Sequence, residues 1–205
     1  MRPNPTRTTF ELRPHGRDGV WESNDGRYRT YAHQILAELE QLCIEVQSKW
    51  PCEANTPITD ERQHSELWSL ARRRDRSSDT TRIYAAMAVE GFLNFYGVYR
   101  LGQEVFDEHF ERAGVVQKLR KLLLFCDNLN IPENDPLCAS ADRVAKSRNA
   151  LVHPKTREVG GDPATHQRSS TKLPDVARES VDAMEAFFSG FATTVPDVAS
   201  HLIRR

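Results

Sequence analysis

The stretch from Ile83 to Leu101 is apolar nearly all the way round a helix, and a helix without a polar face must be covered on all sides. Its partners read as helices too. Leu36, Leu39, Cys43, Val46 and Trp50 repeat at helical spacing until Pro51 ends the run. The same spacing recurs in Val115, Leu119, Leu122, Leu123 and Cys126, in Leu137, Ala141, Val144 and Leu151, and in Ala177, Val181, Met184, Phe188 and Phe191. A weaker helix covers Asp60 to Arg74, with Leu67, Leu70 and Ala71 inward. No alternating apolar and polar run competes. The expected fold is all-α: an up-and-down bundle of four or five helices with an N-terminal helical hairpin as an extension.

Capping and breaking residues place the helix ends. The Arg72-Arg73-Arg74 run suits a helix C-terminus, with Ser78 or Asp79 as cap of the central helix and Gly102 at its end. A short segment, Gln103 to Arg112, follows, and Asn130 to Asn134 make a turn. Asp135 before Pro136 is a strong helix start. Pro154 disfavours helical geometry at His153, so that helix should stop at Val152 or His153. The last helix begins near Pro174 and Asp175. Residues 1–27 are expected to be a mobile arm, 28–77 a helical extension, and 78–205 the bundle, with a long polar loop at 154–173.

Charge and cysteine usage exclude several classes of function. The 28 basic and 29 acidic side chains nearly cancel, so polyanion binding would need a local patch. Cys43, Cys52, Cys126 and Cys138 form no C-x-x-C pair, and reduced thiols in a cytoplasmic protein are expected. Glu90 and Asn94 interrupt the longest apolar run, and Met1 to Thr9 lack the apolar core of a secretory signal. No P-loop, dinucleotide fingerprint, H-E-x-x-H or clustered Cys/His set appears, so no metal or cofactor is expected. The other histidines, His15, His33, His64, His109, His166 and His201, are dispersed and read as surface residues.

Two charges stand out of place. Arg148 continues the apolar stripe of Leu137, Ala141 and Val144, while Glu90 sits in a stripe with Ile83, Met87, Asn94 and Leu101. A guanidinium stays charged, so burying it requires an anion. The spacing therefore predicts that Glu90 and Arg148 meet across the bundle. Lys146 and Asn149 lie on the neighbouring polar flank with Asp142, and His153 projects near them at the break. Two readings stand open: a register-setting ion pair with a helix-end histidine, or a functional cluster. Arg143, Lys146, Arg148, Lys155 and Arg157 occupy one stretch without an acidic residue, a phosphate track or a solvated basic helix end.

The run Arg148-Asn149-Ala150-Leu151-Val152-His153 resembles the R-x4-6-H motif, with Asn after the Arg, of the HEPN superfamily (higher eukaryotes and prokaryotes nucleotide-binding domains). Its setting is similar: a central helix with Ala88-Val89-Glu90-Gly91-Phe92-Leu93-Asn94, a helix with Lys118-Leu119, the motif helix, a loop and a closing helix, over about residues 78 to 192. The resemblance implies a homodimer that joins two motifs in one cleft, and metal-independent RNA cleavage in active members. It implies Arg148, Asn149 and His153 as catalytic residues, with Glu90 in support and Arg143, Lys146, Lys155 and Arg157 along the RNA. It also implies a prokaryotic toxin or defence role, with an antitoxin or nucleotidyltransferase as partner. The alternative is a non-catalytic module of the same kind that binds a partner protein, a nucleotide or RNA.

Overall fold

Helix α2, Ser65–Leu101, is the spine of the structure: 37 residues without a break, about 55 Å of helix. The chain was analysed as a computed structural model that describes residues 11–12, 21–53, 60, 64–153 and 171–198. The other helices are α1 (Asp25–Lys49), α3 (Gln103–His109), α4 (Val115–Asp127), α5 (Pro136–Val152) and α6 (Leu173–Thr194), followed by a 3-10 turn at Pro196–Val198. Every other helix packs against α2, and α6 also packs on α1 and α5. The chain is an all-α bundle, as its periodicity predicts. Glu11–Leu12 and Trp21–Glu22 add a two-residue antiparallel pairing that no sequence pattern announced.

The core forms on the face of α2 that carries Ala85, Val89, Phe92, Leu93 and Tyr96, all buried. Phe92 stands at its centre. Its ring meets Phe187, Phe188 and Phe191 of α6 edge-on at centroid separations of 6.1, 5.6 and 4.8 Å. The stripe of Ile83, Met87, Glu90, Asn94 and Leu101 is only half-buried. It borders the core instead of filling it, which is why it tolerates a carboxylate.

The expected break between residues 74 and 78 is absent, because the polar residues there are satisfied within a continuing helix. Thr80 and Thr81 hydroxyls donate to the carbonyls of Arg76 and Ser77, each at 2.8 Å, the back-bonding that lets such residues sit inside a helix. Ser78, instead of capping, donates to the Leu173 carbonyl at 2.6 Å and so ties the start of α6 to α2. Arg74 ends no helix. Its buried side chain reaches Glu53 at 2.5 Å and Asp75 at 2.8 Å, holding the turn after α1 against α2. The boundary drawn at residues 77 and 78 thus falls within one helix.

The other helix limits follow local chemistry. Gly102, at φ +83°, ends α2 in a conformation that favours glycine. Asp135 caps α5 by accepting the Leu137 N–H at 2.8 Å, with Pro136 in the first turn. At the N-terminus, α1 starts at Asp25, three residues before the expected Tyr28, and Ser23 and Asp25 are buried. The rest of the expected arm, residues 1–10 and 13–20, and the loop residues 154–170 lie outside the described residues.

Two outcomes test this packing. A Cβ on Gly97 would stand 2.4 Å from a ring carbon of Phe106 and 3.0 Å from Leu122. Gly97→Ala should lower stability by about 1–2 kcal/mol in urea titration, because overpacking outweighs the gain of roughly 1 kcal/mol in helix propensity. Burial moves the Asp25 carboxyl from its ordinary 3.8 up to about 6, against the helix-end N–H groups and Arg29 that favour its charge. Its proton is bound more tightly folded than unfolded, so stability falls as pH rises from 4 through 6. Asp25→Asn should leave stability at pH 3.5 nearly unchanged and raise it at pH 8 by about 1–2 kcal/mol, as thermal unfolding at the two pH values would show.

Candidate functional site at the end of α5

Helix α5 buries Leu137, Ala141 and Val144, and the residues one turn on, Ser147 and Arg148, carry that face to the edge of the bundle. Ser147 is held from below by a charge that the sequence reading missed. Arg82 of α2, 5% exposed, donates from Nε to the Ser147 hydroxyl at 2.9 Å and from a terminal nitrogen to the Ser147 carbonyl at 2.7 Å. Ser147 Oγ lies 2.6 Å from Ser180 Oγ of α6, and Ser180 donates to the Val176 carbonyl at 2.7 Å. Since Ser180 spends its proton on Val176, Ser147 must donate to Ser180 and accept from Arg82. One directed chain of hydrogen bonds therefore joins α2, α5 and α6.

The Arg82 guanidinium has a single carboxylate in ion-pair range among the described residues, Asp79 at 3.3 Å. Burial holds it below its usual range, opposed by Asp79. Its remaining partners are neutral oxygens. The last turns of α5 are thus pinned by a buried charge that cannot move without losing its own partners.

Arg148 is held differently. It pairs with Glu90 of α2, as the two misplaced charges predict, and the contact is direct. The pair is not in the core: its side chains remain 29% and 34% exposed. Four residues along α2 from Glu90, Asn94 accepts the Lys118 ammonium of α4 at 2.6 Å. Lys118 is 7% exposed and lies over the Phe106 ring, and burial lowers its affinity for the proton against the fields of Glu90 and Glu111. Arg148, Glu90, Asn94 and Lys118 so form a polar seam from α5 across α2 to α4.

Asn149 and His153 are not among the residues bonded into that seam. Both are exposed, and the His153 N–H closes the last helical turn on the Asn149 carbonyl at 3.0 Å. His153 then leaves helical geometry, at φ −128° and ψ 59°, as Pro154 requires. Of the expected phosphate track, Arg143 is exposed and Lys146 pairs with Asp142 at 2.7 Å while staying 76% exposed. Lys155 and Arg157 lie outside the described residues. The four cysteines are free thiols. No described helix is long and apolar enough to cross a membrane.

No family model, curated protein or solved structure matches the chain. The likeness to the HEPN motif stands on the residues themselves.

Arg82 and Glu90 should respond unequally to substitution. Arg82→Ala removes a buried cation and its two bonds to Ser147, and should cost about 2–4 kcal/mol in denaturant titration. Glu90→Gln loosens a part-exposed pair and should cost under about 1 kcal/mol.

Proposed function

We propose that the chain is a metal-independent RNA endonuclease of HEPN type, cutting by 2′-hydroxyl attack in a cleft between two copies, in a prokaryotic toxin or defence system. The observation that carries this reading is the division of the motif: His153 at the helix break and Asn149 one turn before it are exposed, and Arg148, next to Asn149, is held on Glu90. Cleavage needs a base for the 2′-hydroxyl proton, a donor for the departing 5′-oxygen, and a cation for the charge that builds on phosphorus. One His153 takes the proton as the 2′-oxygen bonds to phosphorus. His153 of the second copy protonates the 5′-oxygen as its bond to phosphorus breaks.

Arg148 supplies the cation through its planar fork, and Asn149 orients the scissile group. A part-exposed ion pair is weak enough for a phosphate to compete with Glu90 for the guanidinium. Arg143 and Lys146 extend positive charge back along α5, and Lys155 and Arg157 continue it in sequence. This local field acts although the whole chain carries a net charge of −1.

The purified chain should cut mixed RNA in EDTA, and His153→Ala and Arg148→Ala should each slow cutting by about 100-fold or more. Undiminished cleavage in both variants would remove this site from the reaction. An inert parent would favour a non-catalytic module, and a strict monomer at micromolar concentration would argue against a two-copy cleft.

A further inference from the structure

We infer that Lys118 is a positioning residue of the Arg148 site: it shares Glu90 as counter-ion, so that Arg148 can pass from the carboxylate to a phosphodiester without stranding it. The phosphodiester part of this inference rests on the function proposed above; the sharing of Glu90 does not. Glu90 and Asn94 stand one turn apart on the same flank of α2. Arg148 reaches the first from α5, and Lys118 reaches the second from α4. The two cations therefore approach one short segment of α2 from two different helices.

Their situations differ in a way that assigns the roles. Lys118 is buried, bonded to a neutral amide oxygen, and among the described residues no carboxylate lies within ion-pair distance of its ammonium. A nearby anion favours a buried ammonium in that position, and Glu90, ahead of Glu111, supplies that field through space. Arg148, on the rim, is the partner that solvent and ligands can reach. When it turns to a phosphate, the carboxylate keeps the field of Lys118, and Lys118 gains the whole of Glu90. The cost of freeing Arg148 is lower than it would be for an isolated pair.

Two readings of the full-length chain test this. In a thermal double-mutant cycle, Arg148→Ala should lower the Tm by about 2 °C in the parent and by about 5 °C or more in a Lys118→Gln background. In fluorescence anisotropy with a 2′-O-methyl RNA ten-mer, which lacks the nucleophile, Lys118→Gln should weaken binding about fivefold in the parent and less than about twofold in a Glu90→Gln background. Lys118→Arg should restore most of the loss.

Additive Tm effects would overturn the inference, whatever the RNA result. An equal loss of binding in both Glu90 backgrounds would also overturn it, since Lys118 would then act on the phosphate directly. Coupling in the Tm cycle without binding of the ten-mer would leave the shared counter-ion standing and defeat the RNA reading. Should Lys118→Gln fail to fold, the Lys118 titration midpoint read by NMR decides. It should fall by about 0.5 pH or more in Glu90→Gln, and an unchanged midpoint overturns the inference.

Discussion

The structure depends on α2 staying helical through its most polar stretch. From Arg74 to Arg82 the helix carries three arginines and a run of Ser, Asp and Thr, the composition that ordinarily ends helices. Three of the inward-facing groups there each fasten a different neighbour. Arg74 takes Glu53 after α1, Ser78 takes the start of α6, and Arg82 takes Ser147 of α5. Below this polar belt the same helix turns apolar and Phe92 gathers the α6 rings. The belt sets the register, and the aromatic cluster supplies the larger share of the burial.

Two arginines then meet α5 or leave it at adjacent positions, with opposite consequences. Arg82 lies under Ser147 and is buried, its bonds aimed at the Ser147 hydroxyl and carbonyl. Arg148 follows Ser147 in the chain and looks outward over Glu90. Burial decides which can serve a ligand. Removing a solvated group from a part-exposed carboxylate costs little, whereas withdrawing Arg82 would leave buried polar atoms unpaired. A rigid anchor beneath an exchangeable cation is what a site for an anionic ligand requires.

The helices were legible in the sequence wherever a single apolar stripe or a strong cap marked them. Asp135 with Pro136, Gly102, and the Phe188 and Phe191 face of the last helix each behave as local chemistry dictates. The pairing of Glu90 with Arg148 was legible too, since two charges set among apolar residues on facing helices have few other partners. Its depth was not, because periodicity gives the direction of a side chain and not how far the neighbouring helix extends over it. Arg82 escapes notice in the sequence because the apolar run begins one residue later, at Ile83, and leaves the arginine in the polar first turn after the expected cap at Ser78 or Asp79. The buried face passes through Ser78, Arg82, Ala85, Val89 and Phe92, and on it the arginine is the anomaly that points to Ser147. Lys118 is harder still, as only the approach of α4 to Asn94 reveals its enclosure.

The helix break at His153 also bears on how many copies a reaction would need. Transfer of a proton from the 2′-hydroxyl and to the 5′-oxygen occurs on opposite sides of phosphorus, so one imidazole cannot serve both in a single step. Among the described residues the other histidines are placed elsewhere: His33 is bonded to Glu185 of α6, His64 precedes α2, and His109 closes α3. His64 lies about 27 Å of helix from Arg82. The only carboxylate in contact with Arg148 among the described residues is Glu90, and that contact occupies it. Under the function proposed above, a second His153 on a second copy would meet the requirement, since among the described residues no other histidine of the same copy stands at this helix break.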